Sequence, residues 1–372
     1  MTEIILQLAS FFFSAICGFV FIPLIQNFCK EKNLYDIPNV RKLHKSAIPR
    51  LGGISFLPSM LLAIILTLFF FNSGVGGTEV TFSLWSLYFF ISLMLIYGVG
   101  LIDDLIGLGA KTKFSVQVLA ASLLPLSGLY INDFYGFMGI DGIPYYIGAP
   151  LTVFIIVFIT NAYNLIDGID GLAAGLSMIA LGGFLVSFLN EGLWLYGLLI
   201  AGLMGVLVPF LFFNLWGNPS KNRKIFMGDS GSLTLGFILG FLCVKYSMDN
   251  PVVMYWRSDC MILAFTFVVV PVFDVARVSL VRIVHRMPVF KADKNHIHHK
   301  LMRAGLGQHG TLIVILILAL VYIILNLQLS VLLSITWVVV VDVLVWLLFH
   351  QVVNMMVRKN GQQPFLMVKE DE

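Results

Sequence analysis

Charged residues are scarce in this sequence. They make up 12% of its 372 residues, whereas hydrophobic residues make up 59%, and the mean hydropathy is +0.94. A soluble domain carries roughly 25% charged residues, and no water-soluble fold of this size could bury so much apolar surface. The composition therefore excludes a soluble globular enzyme, a nucleic-acid-binding protein and a disordered scaffold, and it predicts that lipid surrounds most of the chain.

Cysteine motifs, repeats and linkers are also missing. The cysteines have no CxxC or metal-ligand spacing, which predicts that all are free thiols: Cys17, Cys29, Cys243 and Cys260. No low-complexity tract or interdomain linker divides the chain, so we expect a single integral membrane domain over residues 1–372. The N-terminal apolar run has no basic stretch before it and exceeds a signal-peptide core, which favours an uncleaved membrane helix.

Long apolar segments, by contrast, are abundant. A membrane-spanning helix needs about 20 apolar residues, and the sequence offers eleven candidate spans: 4–28, 52–71, 84–101, 114–130, 148–162, 172–189, 193–213, 232–246, 259–284, 311–328 and 330–350. The ninth is long enough to project beyond the membrane. These segments predict an all-α polytopic membrane protein, a bundle of about 11 transmembrane helices.

Basic residues are distributed unevenly between the two ends of these spans. Of 23 lysines and arginines, 21 fall in the loops after odd-numbered spans, at the projecting end of span 9 or in the C-terminal tail. The other side has only Lys245 and Arg257. By the positive-inside rule, we expect the basic loops and the C-terminus to be cytoplasmic and the N-terminus to be outside.

Five polar motifs lie at the predicted cytoplasmic ends. The first, residues 41–53, combines four basic residues, Lys45 and Arg50 among them, with Pro49 and a Gly pair. It is either an anchor at anionic headgroups or a turn that brings backbone close to a phosphate.

The second motif is the acidic pair Asp103-Asp104, which Lys111 and Lys113 follow. Adjacent carboxylates at a membrane boundary are costly to desolvate unless a cation pairs with them. A divalent metal or either lysine could supply that cation, and a solvated helix end is the alternative.

The third motif has four polar residues within ten: Asn161, Asn164, Asp167 and Asp170. Spacings of three bring successive side chains together on a helix. The interleaved glycines leave room for a ligand or unwind the helix locally, so a ligand site is favoured over a simple helix terminus.

The fourth motif runs from Asn214 through a basic stretch to the sequence FMGDSGS at residues 226–232, which begins with Phe226. Its Asp229 is either an N-cap of the next span or a magnesium ligand. Magnesium prefers few carboxylates together with substrate phosphate oxygens.

The fifth motif covers the end of the ninth span and the next loop, and it is rich in histidine and base: Asp274, Arg277, Arg282, His285, Asp293, His296, His298, His299, Lys300 and Arg303. Three histidines could bind zinc, but the surrounding cations disfavour a dication. A loop that contacts phosphate or sugar is favoured. Asp342, inside the last span, is not explained by the sequence.

Together these motifs contain the components of phosphoryl transfer, namely carboxylates that hold a metal and bases that hold phosphates. They predict an enzyme with catalytic cytoplasmic loops, one lipid reactant and one soluble phosphate ester. A transporter of a phosphorylated substrate is the alternative, but it would place ionisable groups near mid-bilayer.

The ordered motifs, over residues 35–305, resemble the polyprenyl-phosphate N-acetylhexosamine-1-phosphate transferases, glycosyltransferase family 4. The resemblance implies ten or eleven spans and a magnesium-dependent enzyme, with manganese as an alternative metal. It also implies transfer of N-acetylhexosamine 1-phosphate from a UDP-sugar to undecaprenyl phosphate, release of UMP and initiation of a cell-envelope glycan. The HIHH segment at 296–299 is similar to the GlcNAc-1-phosphate branch; the peptidoglycan branch, which uses UDP-MurNAc-pentapeptide, has consecutive histidines and remains an alternative.

The same resemblance implies roles for the matched residues. Asp229 would bind the metal, with Asp103 and Asp104 beside the metal and the lipid phosphate. Catalytic candidates are the other loop aspartates and the histidines: Asp103, Asp104, Asp167, Asp170, His296, His298 and His299. Substrate-binding candidates are Lys45, Arg50, Lys111, Lys113, Asn164, Asn214, Phe226 and Arg282, with Asn214 and Phe226 near the uracil and the histidines near the diphosphate or sugar.

A phosphomonoester has a second pKa near ~6 and is largely dianionic at pH 7, which favours direct attack by the lipid phosphate on the sugar-bearing phosphate. A covalent aspartyl intermediate is the competing route, and the sequence leaves both open. The expected setting is a bacterial inner membrane, with membrane lipid as a partner, no nucleic acid, and a homodimer as a possible assembly.

Overall fold

The fold is a bundle of long helices, described by a computed structural model over residues 2–36, 47–71, 84–221, 223–250, 253–254, 256–288 and 294–366. The helices are α1 (Thr2–Lys32), α2 (Phe56–Phe71), α3 (Leu84–Ile106), α4 (Ala110–Leu126), α5 (Tyr145–Ile166), α6 (Leu172–Asn190), α7 (Trp194–Trp216), α8 (Gly228–Ser247), α9 (Cys260–Thr266), α10 (Val269–Val284), α11 (Ile297–Arg303), α12 (Gln308–Leu332) and α13 (Ile335–Lys359). Two small antiparallel ribbons pair β1 (Tyr35–Asp36) with β2 (Ile48–Pro49) and β3 (Asp133–Phe137) with β4 (Ile140–Gly142).

The helices confirm the predicted all-α polytopic membrane protein. Within the described ranges, nine helices are long and apolar enough to cross a membrane, or ten if the bent pair α9–α10 forms one span. The predicted span 114–130 corresponds to α4, which has 17 residues. At 1.5 Å per residue this helix is about 26 Å long, slightly less than the ~30 Å hydrocarbon core. It packs against α3 and α5.

The ninth predicted span, 259–284, is broken into two helices, so the prediction of one projecting helix is wrong. The axes of α9 and α10 differ by 73°. Pro271 lies in the first turn of α10, where its missing N–H is tolerated. In one continuous helix, its ring would clash with the backbone carbonyl of Phe267, four residues earlier. The chain therefore turns at Phe267–Val268 and starts a new helix.

Helix α8 is the centre of the bundle. All of its residues from Ser230 to Ser247 are buried, and it packs against α3, α5, α6 and α9. Its contact with α5 requires a glycine, because a Cβ at Gly236 would lie 2.7 Å from the Cα of Thr160. Close packing of this kind through small residues is common between membrane helices, and it fixes the start of α8 relative to α5.

The beginning of α8 lies at one end of the bundle, which we call the site end. Helices α3 and α5 finish there, and the segment after β2 reaches the same place. The backbone N–H of Gly52 donates to the carbonyl of Phe226 at 2.9 Å, and that of Gly53 to Met227 at 2.8 Å. These bonds join the first and fourth polar motifs of the sequence.

Asp342 faces polar groups inside the bundle rather than lipid. Its Oδ2 accepts a hydrogen bond from Asn326 Nδ2 at 2.9 Å, and the Tyr322 hydroxyl donates to its backbone carbonyl at 3.1 Å. Asp342 thus joins α12 to α13. All four cysteines are free thiols, as predicted.

Candidate active site

A cavity of about 560 Å³ opens at the site end of the bundle. Ten of the residues predicted from the sequence line it: Arg50, Asp103, Asp104, Asn164, Asp167, Asp170, Asn214, Phe226, Asp229 and His299. The volume is within the usual range for small-molecule sites, roughly 300–1,000 Å³. The cavity therefore joins residues from all five polar motifs, which are widely separated in the sequence.

Asp104 holds the first turn of α8. Its Oδ1 accepts the backbone N–H of Asp229 and its Oδ2 that of Ser230, both at 2.8 Å. A carboxylate at this position satisfies backbone donors that a helix start leaves unpaired and complements the helix dipole. Gly228 has a φ of +75°, and a Cβ there would lie 2.1 Å from the carbonyl oxygen of Arg50, so this tight turn requires glycine.

Lys113 bridges two carboxylates on different helices. Its Nζ lies 3.1 Å from Asp103 Oδ2 and 2.6 Å from Asp229 Oδ2. Asn164 donates to Asp229 Oδ1 at 3.2 Å and to Ser232 Oγ at 2.9 Å. A positive charge thus lies between Asp103 and Asp229, which is one of the two solutions that the sequence left open for the acidic pair.

Asp167 contributes to the cavity wall a carboxyl group that is a weaker acid than usual. It follows the end of α5, and no hydrogen-bond donor from the described part of the chain reaches its carboxyl group. Burial, with smaller contributions from the negative charges of Asp229, Asp170 and Asp104, raises the pKa of Asp167 to about 7. This carboxyl group can therefore exchange a proton near neutral pH.

The far wall of the cavity is built around Asn214 and Asp170. Asn214 accepts the backbone N–H of Gly171 at 2.7 Å and donates to the carbonyl of Ile225 at 2.9 Å, so its amide joins two loops. Asp170 forms an ion pair with Lys224 at 2.6 Å. The third and fourth motifs are thereby fixed to each other.

Only one histidine of the HIHH segment lines the cavity. His299 does so, whereas the Nδ1–H of His296 donates to the carboxylate of Asp274 (Nδ1 to Oδ2, 2.8 Å), and His298 is 1% exposed. Burial, and then the charge of His299, lowers the pKa of His298 well below its usual value. The ring of His298 packs against Gly168, where a Cβ would lie 2.1 Å from Nε2.

The remaining candidates lie outside the cavity wall. Lys113 acts through Asp103 and Asp229, Lys111 is exposed on α4, and Arg282 is buried on α10. Lys45 lies outside the described residues. The structure therefore does not bring Lys111 or Arg282 to the cavity.

Several residues that line the cavity were not among the sequence candidates, notably Lys224, Ser232 and Gln308. Ser232 lies three residues after Asp229, so helical spacing could have indicated it. Lys224 belongs to a basic stretch whose members the sequence did not distinguish. Gln308 opens α12 with no local signal, because only the packing of α12 brings it to the site.

The donor atoms of the cavity fit a hard divalent cation that substrate helps to hold. In the ranges the structure describes, no three His, Cys, Asp or Glu side chains are grouped closely enough to hold a metal by themselves. Magnesium commonly uses one or two carboxylates together with substrate phosphate oxygens. Asp103 and Asp229, already joined by the ammonium of Lys113, are such a pair.

The sequence matches a known protein family and is similar to several named proteins. Residues 86–247 match the model of glycosyl transferase family 4. A Bacillus subtilis (strain 168) protein, named probable undecaprenyl-phosphate N-acetylglucosaminyl 1-phosphate transferase, is 31% identical over 321 residues, or 84% of this chain and 82% of the relative.

Two proteins named undecaprenyl-phosphate alpha-N-acetylglucosaminyl 1-phosphate transferase are also similar. The Yersinia pestis protein is 28% identical over 293 residues, 77% of this chain and 74% of its own. The Escherichia coli (strain K12) protein is 26% identical over 307 residues, 81% and 77% of the two chains. The family match contains the acidic residues of the cavity, whereas Asp274 and the HIHH segment lie beyond it.

Proposed function

Because the chain belongs to glycosyl transferase family 4, the polyprenyl-phosphate N-acetylhexosamine-1-phosphate transferases, we propose that it transfers N-acetylglucosamine 1-phosphate from a UDP-sugar to undecaprenyl phosphate. UMP is the second product, and the lipid-linked sugar initiates a cell-envelope glycan. The single observation that carries the proposal is the arrangement Asp103–Lys113–Asp229 in a cavity at one end of a membrane bundle. Relatives named for this transfer support the choice of sugar and lipid.

The location of the cavity suits one lipid and one water-soluble reactant. It opens at the site end of helices that cross the membrane, so a phosphate on a membrane lipid reaches it from the bilayer side and a nucleotide sugar from water. The uneven distribution of lysine and arginine, 21 of 23 on one side, supports a cytoplasmic site end and an outside N-terminus. The proposed location is the inner membrane of a bacterium.

Magnesium is the proposed cofactor, held by Asp229 and Asp103 together with phosphate oxygens of the substrate. When bound, such a cation neutralises charge on the phosphates and polarises the phosphoryl group. The Nζ of Lys113, which contacts both carboxylates, would supply a positive charge for a substrate phosphate at the same place. Asp104 keeps α8, and with it Asp229, in place.

In the proposed reaction, an oxygen of the lipid phosphate attacks the phosphorus that carries the sugar. The bond from this phosphorus to the bridging oxygen breaks, and the bridging oxygen leaves with UMP. The attacking phosphomonoester is largely dianionic at neutral pH, so no base is required to activate it. Arg50, Lys224 and His299 lie where they can bind phosphate or sugar oxygens, and positioning supplies much of the catalysis in such transfers.

The test is UMP release by the purified protein with magnesium, undecaprenyl phosphate and a panel of UDP-N-acetylhexosamines. We expect release with UDP-GlcNAc, loss of release in Asp229→Asn, and full release in Asp141→Asn, an exposed carboxylate on β4 at the opposite end of the bundle. The absence of release with every sugar would overturn the proposal. UMP release without added lipid would instead support the covalent aspartyl route.

A further inference from the structure

A buried carboxylate outside the cavity holds the beginning of the HIHH segment. Asp274 on α10 is fully buried. Its Oδ2 lies 2.8 Å from His296 Nδ1, and its Oδ1 accepts the backbone N–H of Ile297 and a guanidinium N–H of Arg277, both at 2.9 Å. Three partners therefore use this one side chain.

Arg277 extends the same attachment. One turn after Asp274 on α10, its Nη2 also donates to the backbone carbonyl of Asn295 at 2.6 Å. Asn295, His296 and Ile297 are thus fixed to α10 by both backbone and side-chain bonds. Because α11 has seven residues, its first residues determine the direction of the whole helix.

This attachment determines where His299 lies. His299 is half-buried in the cavity wall, three residues after His296, whereas His296 itself is 6% exposed and outside that wall. The ring of the neighbouring His298 touches Gly168, which is next to Asp167. A rotation of α11 would therefore move the His299 imidazole relative to Asp167 and the phosphate-binding groups.

We propose that Asp274 and His296 are positioning residues, and that His299 is the histidine of the segment that contacts the substrate. The inference rests on the proposed function for the identity of that substrate, but the division of roles among the histidines stands on the geometry alone. The first histidine of the HIHH segment, His296, thus orients the segment and does not itself contact the substrate.

A chemical test of the geometry is independent of activity. Diethylpyrocarbonate acylates accessible neutral imidazoles, and mass spectrometry identifies the modified residue. In the wild type we expect modification of His299 and protection of His296 and His298; in Asp274→Ala, His296 becomes modified as well. UDP is expected to protect His299 in the wild type. Modification of His296 as fast as His299 in the wild type would overturn the inference, even if no UDP-sugar is turned over.

Kinetics then separates positioning from contact. The amide N–H of asparagine can replace the Nδ1–H of histidine toward Asp274, so His296→Asn is expected to keep kcat within roughly threefold of wild type, whereas His296→Ala loses about 100-fold. His299→Asn is expected not to recover the loss in His299→Ala. The double variant Asp274→Ala/His296→Ala should be no slower than the slower single variant, because Asp274→Ala already removes the contact through which His296 acts.

Two results would contradict this assignment. One is an equal loss in His296→Asn and His296→Ala with an unchanged unfolding temperature, which indicates a chemical role for the imidazole. The other is additive losses in the double variant. If Asp274→Ala does not fold, the comparison of His296→Asn with His296→Ala is sufficient, because both variants leave the Asp274–Arg277 and Asp274–Ile297 bonds in place.

Discussion

The carboxylate of Asp104 accepts the backbone N–H of Asp229, 125 residues further along the chain, at 2.8 Å. The end of α3 thereby determines where α8 begins. Two aspartates of the same cavity consequently have different tasks. Asp104 uses both oxygens on the backbone of α8, and Asp229 directs its carboxylate toward Lys113 and Asn164.

Replacement of these two aspartates should separate stability from activity. In Asp104→Asn the amide nitrogen cannot accept a backbone N–H, so one buried donor loses its partner, at a cost of ~1–3 kcal/mol. We expect a lower unfolding temperature in detergent together with lost UMP release. In Asp229→Asn we expect lost release with an unfolding temperature close to wild type. Equal unfolding temperatures in the two variants would contradict this division.

Removal of the lysine between Asp103 and Asp229 should make the protein depend on a divalent cation for stability. In Lys113→Met the two carboxylates have no ammonium between them, so magnesium should raise the unfolding temperature more in this variant than in the wild type. The measurement is thermal unfolding with EDTA and with magnesium. Lys111→Met, at an exposed position on the same helix, is the control and should respond like the wild type.

The stability of the ligand-free protein should depend on pH through Asp167. With a pKa of about 7 against an ordinary value of 3.8, folded Asp167 keeps a proton that the unfolded chain has lost. Its stabilising contribution is therefore fully present below about pH 4, decreases as the pH rises toward 7, and is absent above that. Chemical unfolding of wild type and Asp167→Asn across this range is the check. If the free energy of unfolding changes with pH equally in both proteins, a group other than Asp167 causes that change.

A methyl group at residue 168 should disturb the site without replacing any of its polar residues. The Cβ in Gly168→Ala would lie 2.1 Å from His298 Nε2, so either α11 or the loop after α5 has to move. We expect at least a roughly 100-fold fall in kcat, the size of effect that a misplacement of about 1 Å can cause. Gly109→Ala has open space around its Cβ and should keep wild-type turnover; equal turnover in both variants would contradict the expectation.

The tail after α13 should contribute to turnover, because it holds the residue that precedes His296. The side chain of Asn295 donates to the carbonyl of Leu366 and accepts its N–H, both at 2.9 Å. A chain that ends at Gly361 loses both bonds, whereas a chain that ends at Leu366 keeps them. We expect a several-fold lower kcat and faster proteolysis near residue 295 in the shorter chain alone. Identical behaviour of the two chains would show that the tail is dispensable.

Much of the site was predictable because its residues occur at the same end of successive helices. Asp103, Asp167 and Asp229 are each placed where an apolar span meets a polar loop, and the positive-inside pattern assigns those loops to one side. Local sequence therefore indicates which groups meet, although it does not indicate their distances.

Other features depend on the rotation of helices about their axes, which local patterns do not specify. The position of Lys113 between two carboxylates, the Asp274–His296 contact and the arrival of Gln308 at the cavity are of this kind. The break between α9 and α10 had a signal in Pro271, but a membrane helix can also tolerate a proline when its neighbours satisfy the backbone. Only the packed bundle decides between a kink and two helices.

The bonds between Asn295 and Leu366 also have a consequence for biosynthesis. The ribosome synthesises a chain from its N-terminus, so the cavity residues between Ile48 and Gln308 are made before Leu366, which holds Asn295. The histidine segment acquires these two hydrogen bonds only after residue 366 has been synthesised, later than any residue of the cavity wall. The aspartates of the cavity are therefore synthesised before the histidine segment receives its last hydrogen bonds.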